Sequence, residues 1–418
     1  MSRFILFLSA LLLAGMQAAT AQQRFADLVV ASDGTGNYRS LTEALQSLPM
    51  YNYQRYVIYV KNGVYNEKIL IDRDYLTIVG ESKDSTIIEY SQLRSGWQEK
   101  PDYIGAAVIN ITSDDVILEN LTIRNIQPEV GPHAFTIYGT GTRTMIINCN
   151  VTSNGGDTVS LWNYKNGMYY HAGCRFEGAV DFVCPRGWCY IRDSRFYENS
   201  KTAAIWHAAV TNKDQKMVLE NCSFDGVPGY NLARHHYEAQ FFFLNCSFSE
   251  TMIDKPVYYY YYPKEPEKNR PYFFGDRYYF FNCHRTGGDY DWHADNLVSW
   301  PHGLKPDDVD AEWTFDGQWN PESTKAPGAV KFEIKGDSLV WLFFNELLCV
   351  RGKPVLQTST GSKLIFREGQ GRDILSFASD RPITENDLRS PVWIISGDIL
   401  GNTATVSERK ISVLHLAQ

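Results

Sequence analysis

The sequence has little positive charge. Its 40 lysine and arginine residues are outnumbered by 48 aspartate and glutamate residues, which gives a formal net charge of −8. A surface that binds the phosphates of nucleic acid normally leaves an excess of basic residues. The composition therefore argues against nucleic acid as a partner of this chain.

Long hydrophobic runs are also scarce. The apolar run at residues 4–14 follows Arg3 and precedes Ala19-Thr20-Ala21, a small-x-small site of the kind that signal peptidase cleaves. No later stretch reaches the roughly 18 apolar residues that a membrane span needs. We therefore predict a signal peptide over residues 1–21, no membrane span, and a soluble protein exported to a periplasm or to the outside of the cell.

Cysteine is sparse as well, with 8 residues in a chain of 418. This is far below the density of a disulfide scaffold, although an exported protein can form disulfides. Cys184 and Cys189 lie close enough in the sequence for a small disulfide ring, and two buried thiols fit the sequence equally well. The acidic segment with Asp289, Asp291, Asp295 and His293 fits no strong metal-ligand spacing, so we predict no metal there.

A strand–turn–strand pattern repeats along the chain. Its copies lie at residues 118–123, 146–151, 171–176, 191–196, 219–224 and 243–248, at intervals of 20–28 residues. Such a period, with short β-branched or aromatic strands and no helical pattern between them, is typical of a solenoid of stacked coils. We predict an all-β fold with a right-handed parallel β-helix over residues 22–320, in which the recurring asparagines and cysteines stack as internal ladders.

The two ends of the chain differ from this repeat. Ser40 and Glu43 form a capping box that predicts a short helix to about Leu48, which would cover the open first coil. Strands are predicted next at residues 56–60, 68–71 and 76–79. After Pro321, about 90 residues of short alternating strands predict a small β-sandwich over residues 326–418. That tail loosely resembles the bacterial immunoglobulin-like modules attached to secreted enzymes.

Two acidic residues stand out within the repeat. Asp157 and Asp181 lie 24 residues apart, which is one coil, between turn formers and aromatic residues. Neighbouring coils are separated by about 4.8 Å, so both carboxylates would face one reacting group. Paired carboxylates in different environments divide the roles of nucleophile and proton donor. The spacing alone leaves open that both aspartates only cap turns.

The order of several short motifs resembles that of the pectin methylesterases over residues 28–257. These motifs are Asp-Gly-Thr-Gly-Asn-Tyr at 33–38, Val-Lys-Asn-Gly-Val-Tyr-Asn-Glu at 60–67, Gly-Asp-Thr at 156–158, Gly-Ala-Val-Asp-Phe at 178–182 and Asn-Leu-Ala-Arg at 231–234. The resemblance implies that Asp181 is the nucleophile, Asp157 the general acid and base, and Arg234 the partner that holds Asp181. It implies no metal and no organic cofactor.

The chain departs from the family pattern around these residues. Where the family has two glutamines that stabilise the oxyanion, this sequence has His133 and Gly156, so the oxyanion hole must be rebuilt or the activity has changed. The candidates for the missing contacts with oxyanion or substrate are Trp162, Trp206, His207 and His236. Each histidine is alternatively an ordinary surface or core side chain. The aromatic residues 258–262 are either a platform for sugar rings or a loop packed on the flank of the solenoid.

We therefore expect a secreted, monomeric esterase that hydrolyses methyl esters of galacturonic acid residues in pectin or a pectic oligosaccharide. One alternative is a related pectic esterase with altered specificity, for a decorated pectin or an acetyl ester. Another is a catalytically silent β-helix that only binds polysaccharide. A pectate lyase fits less well, because it would need a calcium-binding carboxylate cluster and an arginine base.

Overall fold

The computed structural model of the protein describes residues 26–52, 54–269, 273–299, 303–323, 326–401 and 410–415. The predicted signal peptide over residues 1–21 lies outside these ranges, as do residues 402–409 of the predicted C-terminal module. Within the described ranges, no helix has the length and apolar composition that crossing a membrane requires.

Parallel strands stack coil upon coil from Leu28 to Arg285 and form three faces. The first face has ten strands, Leu28–Val30, Tyr56–Val60, Leu76–Gly80, Ile117–Glu119, Thr144–Ile147, Met168–Ala172, Trp188–Arg192, Met217–Glu220, Phe241–Leu244 and Tyr278–Phe281. The second has nine, Gly63–Asn66, Thr86–Tyr90, Thr122–Asn125, Asn150–Ser153, Arg175–Gly178, Arg195–Glu198, Ser223–Gly226, Ser247–Phe248 and His284–Arg285. This architecture confirms the predicted parallel β-helix.

The third face carries the candidate site. Its first four strands are Ile69–Ile71, Ile109–Ile111, Ile137–Gly139 and Val159–Leu161, and its last three are Ala203–Trp206, Asn231–His235 and Tyr258–Tyr259. Single bridges from Val183 to Val159 and to Ile205 join the two groups. A short ladder of Gly131–His133 with Gly155–Gly156 runs beside this face. We call these strands and the Val183 bridges the third sheet.

The interior of the solenoid is filled by side chains that repeat at the same position of each coil. Leu118, Ile146 and His171 are adjacent in register on the first face, and Phe196 stacks on Phe224 with ring centroids 4.5 Å apart on the second. Because one coil alone cannot bury these side chains, stacking of neighbouring coils supplies the core. The repeat interval found in the sequence is therefore the interval at which core side chains recur from one coil to the next.

Of the two predicted ladders, the cysteines are internal and the asparagines are not. The eight cysteines are all buried free thiols, so the structure contains no Cys184–Cys189 disulfide, and Cys184 Sγ instead lies 3.0 Å from Ser160 Oγ. The asparagines form their ladder on the outside, where Asn148 Nδ2 donates to Asn120 Oδ1 at 2.6 Å. Asn120 and Asn148 have φ near +50°. Asparagine tolerates this left-handed conformation, so it occupies the corner while the next residue points inward.

A short helix, Leu41–Ser47, covers the first coil as predicted. Ser40 Oγ accepts a hydrogen bond from the backbone N–H of Glu43, and Leu41, Ala44 and Leu45 are buried in the solenoid core. The predicted strands appear as Tyr56–Val60, Ile69–Ile71 and Leu76–Gly80. The sequence did not predict three further short helices, Arg94–Glu99, Ala311–Thr314 and Glu385–Leu388.

The C-terminal unit is an antiparallel sheet with a core of its own. Its strands are Ala329–Lys335, Leu339–Phe344, Leu348–Gln357, Lys363–Glu368, Ile374–Ser379, Val392–Gly401, Lys410–Ile411 and Val413–Leu414. The predicted sandwich is confirmed only in part, because hydrogen bonding joins the eight described strands into one sheet and not into two. Leu348–Gln357 pairs with strands on both of its sides, which connects the halves.

This C-terminal sheet packs against the β-helix at Arg55. Arg55 is 1% exposed, and its backbone N–H donates to the carbonyl of Val350 at 2.8 Å. Its side chain donates to Cys349 Sγ at 3.2 Å on one side and to the carbonyl of Asp115 at 2.8 Å on the other. A buried cation thus bridges the two units.

Candidate active site

Register places several sequence-distant side chains in two rows on the outer surface of the third sheet. Tyr138 pairs with Ser160, and Trp206 pairs with Arg234, with Cys184 between them beside Ser160. A second row lies two residues further along these strands. There the backbone N–H of Arg186 donates to the carbonyl of Leu161, and Arg186 forms a bridge with Ala208. Because parallel strands hold this register, residues about one coil apart in sequence become neighbours.

The two predicted catalytic aspartates lie on neighbouring coils just before these rows. The Asp157 backbone N–H donates to Val180 at 3.1 Å, and that of Asp181 donates to Ala203 at 2.7 Å. Asp157, Val180 and Asp181 have φ of 58°, 48° and 56°. Left-handed backbone is costly for a β-branched residue such as Val180, and strain of this kind concentrates at functional sites. The one-coil separation predicted from the 24-residue spacing is confirmed.

Arg234 holds Asp181 through both oxygens. Nε donates to Oδ1 and Nη2 donates to Oδ2, each at 2.8 Å. Arg234 lies in the strand Asn231–His235, and its guanidinium packs over the ring of Tyr260 with 4.9 Å to the centroid. A bidentate guanidinium fixes the plane of the carboxylate and favours its ionised form.

The pKa of Asp157 is raised by burial to about 6, against opposing effects of the positive charges of Arg186 and Arg94. Burial also raises the pKa of Asp181 to about 6, although the hydrogen bonds and the charge of Arg234 oppose this rise. Among the described residues, no arginine or lysine donates a hydrogen bond to Asp157, which lies beside a like charge. We therefore assign the proton of the pair to Asp157 and the negative charge to Asp181.

The positions that depart from the family pattern lie on one side of the aspartates. His133 Nε2 is 3.5 Å from Asp157 Oδ2, and the His133 side chain is 47% exposed. Burial and the charge of Arg94 lower the pKa of His133, so its ring is neutral near pH 7. Gly156 is tightly enclosed, because a Cβ there would lie 3.1 Å from the carbonyl oxygen of Val180. A glutamine does not fit at residue 156 unless this backbone moves.

Aromatic side chains form another wall of the site. Trp206 Nε1 donates to His236 Nδ1 at 2.7 Å, which leaves the proton of the neutral His236 ring on Nε2. The pKa of His236 is lowered to about 3, mainly by burial and then by Arg234. The rings of Tyr260 and Tyr262 lie 5.2 and 5.1 Å from that of His236. Of the aromatic segment 258–262, Tyr260 and Tyr262 therefore line the site.

The structure does not bring His207 into this wall, which corrects the sequence-based prediction. His207 is fully buried, and its Nε2 lies 2.7 Å from the carbonyl oxygen of Gly187. Its Nδ1 accepts from the backbone N–H of Gln240 at 3.4 Å, and its ring packs against Phe241. Both ring nitrogens are used by the backbone, so His207 is a core side chain.

Sequence reasoning missed two arginines at the site. The Arg186 guanidinium lies 4.1 Å from the ring centroid of Trp162 and 4.3 Å from that of Trp206. The Arg94 guanidinium lies 5.8 Å from Trp162 and 5.6 Å from Phe135. Arg186 follows Trp162 by 24 residues, the same interval as the aspartates, and this signal was available. No repeat points to Arg94, which lies in the short helix Arg94–Glu99.

A third missed residue, Glu198, lies beside the loop that carries Val180 and Asp181. It is fully buried, and its Oε1 accepts from the hydroxyl of Ser200 at 2.6 Å and weakly from the backbone N–H of Val180 at 3.4 Å. Thr202 Oγ1 accepts from the same N–H of Val180 at 3.1 Å. Burial raises the pKa of Glu198 to about 8, so it is protonated at neutral pH.

The fold and the site together define a parallel β-helix protein with a buried pair of carboxyl groups on one outer face, one of which is held by an arginine. A sequence model of the pectinesterase family matches residues 27–239, and the chain belongs to this family. It is similar to a probable pectinesterase/pectinesterase inhibitor of Arabidopsis thaliana, with 31% identity over 169 residues, which are 40% of this chain and 31% of that relative. The chain thus spans about a third of the length of that relative.

Two solved structures share the fold. The pectin methylesterase from Erwinia chrysanthemi is 19% identical, with a TM-score of 0.55 over 71% of this chain and 98% of that one. A pectin methylesterase solved in complex with a hexasaccharide is 21% identical, with a TM-score of 0.54 over 71% of this chain and 99% of that one. At these identities the similarity establishes the parallel β-helix alone.

Proposed function

We propose that this protein is a secreted carboxylic ester hydrolase that removes methyl groups from galacturonic acid residues of pectin. The observation that carries the proposal is the ion pair of Arg234 with Asp181 beside the buried Asp157, whose pKa is raised to about 6 by burial. Membership of the pectinesterase family supports the same reaction. The substrate in this proposal is pectin or a pectic oligosaccharide.

In the first half of the reaction, a carboxylate oxygen of Asp181 attacks the ester carbonyl carbon. Arg234 keeps this carboxylate ionised and oriented, which a weak nucleophile needs. The C–O bond to the methoxy group then breaks, and Asp157 gives its proton to the leaving oxygen so that methanol departs as a neutral molecule. The product is an acyl group bound to Asp181 and an ionised Asp157.

In the second half, Asp157 takes a proton from water, and the hydroxide oxygen attacks the acyl carbon. Release of the free uronate regenerates the Asp181 carboxylate and leaves the proton on Asp157. The oxyanion formed in both halves needs a hydrogen-bond donor. We propose the neutral ring of His133 for this role, since Gly156 offers only its backbone.

The test is methanol release from pectin by the wild type and by the variants Asp181→Asn and Asp157→Asn. Both substitutions keep the size of the side chain, and each is expected to lower kcat by at least about a thousandfold with the fold intact. Asp337→Asn, an exposed change in the C-terminal unit, is the matched control. Near-normal release by Asp181→Asn would refute the assignment of the nucleophile.

The same assay separates the alternatives. Release of acetate instead of methanol would identify an esterase of altered specificity, which the replacement of the oxyanion glutamines would explain. Binding of oligosaccharide without release of either product would identify a silent polysaccharide-binding protein. Export and the immunoglobulin-like class of the C-terminal unit stay predictions. Detection of a mature N-terminus near residue 22 would test the prediction of export.

A further inference from the structure

A cleft of about 620 Å³ lies where the C-terminal unit meets the first coils. One wall is formed by residues 50–52 and 72–75 of the β-helix, and the other by the C-terminal sheet. We call it the junction cleft. Its volume falls within the range of about 300–1,000 Å³ that is usual for small-molecule sites. Among the described residues that line it, none belongs to the candidate active site.

Three residues of the C-terminal wall lie in one row across antiparallel strands. Trp341 pairs with Ser376, and Ser376 pairs with Glu368 on the next strand. Their chain neighbours Leu342 and Leu375 are buried in the core of the C-terminal unit. Because successive residues of a strand point to opposite faces, the row points away from that core and lines the junction cleft.

Three polar atoms of lining residues are buried without a hydrogen-bond partner among the described residues. They are Asn52 Oδ1, Trp341 Nε1 and Ser376 Oγ, and Ser376 is only 4% exposed. Such atoms are costly, so native structures pair nearly all of them with protein, water or a ligand. The indole N–H only donates, the amide oxygen only accepts and the hydroxyl does both. Together they match a ligand whose groups both donate and accept.

Exposed apolar side chains lie at the same cleft. Tyr51 is 74% exposed and Met50 is 67% exposed. The ring of Tyr75, on the same wall, is held in place by the close approach of Gly371, where an added Cβ would lie 2.1 Å from it. An aromatic ring with one apolar face in water offers a flat surface on which the C–H face of a sugar ring can pack.

The charges of the junction cleft disfavour an anion. Asp74 and Glu368 line it, as does Asp72, which is paired with Arg73, and Arg372 is the one cation among the described lining residues. Like charges repel, so a chain of ionised uronates is a poor ligand here. A cation would suit the carboxylates but offers no acceptor to the indole N–H. An uncharged ligand rich in hydroxyl groups satisfies both requirements.

We propose that the junction cleft binds an uncharged oligosaccharide. Its hydroxyl groups hydrogen-bond to Trp341, Ser376 and Glu368, and one of its rings packs on Tyr51. Rotamer changes of the lining side chains bring the buried polar atoms into contact with the ligand. This site is additional to the candidate active site and does not depend on the proposed esterase function. Neutral branches of pectin and separate neutral polysaccharides share the chemistry that it recognises.

Calorimetric titration of the full chain with four neutral tetrasaccharides tests the proposal. Galactotetraose and arabinotetraose represent neutral branches of pectin, and xylotetraose and cellotetraose represent separate polysaccharides. We expect at least one of the four to bind, and the pair to which it belongs identifies the source. The same saccharide should raise the unfolding temperature, because only the folded chain has the cleft. Binding of none of the four would overturn the proposal.

Two variants and two matched controls locate the binding. Tyr51→Ala should weaken the affinity at least about tenfold, and Trp341→Phe, which keeps a ring but removes the indole N–H, at least about threefold. The controls are Tyr103→Ala and Trp393→Phe, since Tyr103 is 79% exposed, Trp393 is 42% exposed and neither lines the cleft. Equal affinity in the variants and the controls would overturn the proposal.

Two further measurements separate this inference from the others. Trigalacturonate is the charged comparison, and its binding should not differ between the cleft variants and the controls. Weaker binding of trigalacturonate by the cleft variants would identify an anion site and refute the neutral ligand. Methanol release from a short esterified oligosaccharide should be unchanged in Tyr51→Ala. A wild type that releases no methanol would refute the esterase function and leave the saccharide titration as the test of the cleft.

Discussion

At the scale of single residues, one contact distinguishes two aspartates that are otherwise alike. Both are buried and both have left-handed backbone, but only Asp181 receives the two hydrogen bonds of Arg234. Because that guanidinium favours the ionised form of its partner, the second carboxyl group keeps the shared proton. A difference of one ion pair therefore separates the proposed nucleophile from the proposed acid.

The raised pKa of Asp157 predicts that this residue reduces stability at neutral pH. Its pKa is about 6 in the folded state and 3.8 without perturbation, so the folded protein binds the proton more tightly. The stability that this proton contributes is complete below pH 3.8 and is lost as the pH rises through 6. Asp157→Asn should therefore raise the free energy of unfolding at pH 8 by on the order of 2 kcal/mol.

Urea denaturation of the wild type and of Asp157→Asn at pH 8 and at pH 4 measures this effect. The gain should be present at pH 8 and small at pH 4, where Asp157 is protonated in the folded wild type. An equal gain at both pH values would mean that the charge of Asp157 is not the cause.

The role of His133 gives a second prediction at this scale. If its neutral ring donates to the oxyanion, His133→Ala should lower kcat about a hundredfold with little effect on KM. His133→Gln should restore part of the rate, because an amide N–H can replace the ring donor. Methanol release by the two variants measures both effects. Near-wild-type rates for both would show that His133 takes no part, and Trp206 and His236 would become the next candidates.

At the scale of elements, the loop that carries Asp181 is hydrogen-bonded to side chains of the next coil. Val180 and Asp181 are strained, and the backbone N–H of Val180 donates to Thr202 and weakly to Glu198. Because burial keeps Glu198 protonated at neutral pH, a neutral amide can replace it. Glu198→Gln should therefore keep at least about a third of wild-type kcat. Glu198→Ala removes the acceptor of the Ser200 backbone N–H, which donates to Glu198 Oε1 at 2.8 Å, and should lose at least about tenfold.

Turnover and thermal unfolding of these two variants check the prediction. Ser200→Ala, which removes one donor to the same carboxyl group, is the control for a general loss of packing. If Glu198→Gln and Glu198→Ala lose the same activity, an ionised Glu198 is needed, and the protonated form is not the functional one.

The elements that sequence predicts well here are those that repeat. The coils follow from the spacing of inward side chains, and the capping helix follows from Ser40 and Glu43, because both signals are local. The outward orientation of the Asn148 side chain and the packing of Arg186 over the ring of Trp162 depend on the register between coils. The contact of Arg94 with Trp162 joins residues that no period relates, so only the folded structure brings them together.

At the scale of the whole molecule, the β-helix and the C-terminal unit meet at the early coils. Their buried contact involves Arg55, Cys349 and Val350, together with Asp115 of an early coil. A further approach is that of Gly371, where an added Cβ would lie 2.1 Å from the Tyr75 ring. The aspartates and Arg234 lie on later coils. The contacts of the junction therefore bear first on the stability of the early coils.

This arrangement predicts that the C-terminal unit stabilises the β-helix without taking part in catalysis. A chain that ends after Ser323 keeps Glu322, which accepts hydrogen bonds from Tyr170 and Arg192 of the β-helix. It loses Val350 and Cys349, so the guanidinium of Arg55 loses one of its acceptors and the first coils become exposed. Calorimetry should show one main transition for the full chain and a β-helix transition at least about 4 °C lower for the shortened chain. Below that temperature, kcat on a short esterified oligosaccharide should be unchanged.

Arg55→Ala in the full chain should also lower the transition temperature, because it leaves the buried acceptors without their donor. Two separate transitions in the full chain, with the β-helix transition unmoved by either change, would show that the units unfold independently and that Arg55 does not couple them.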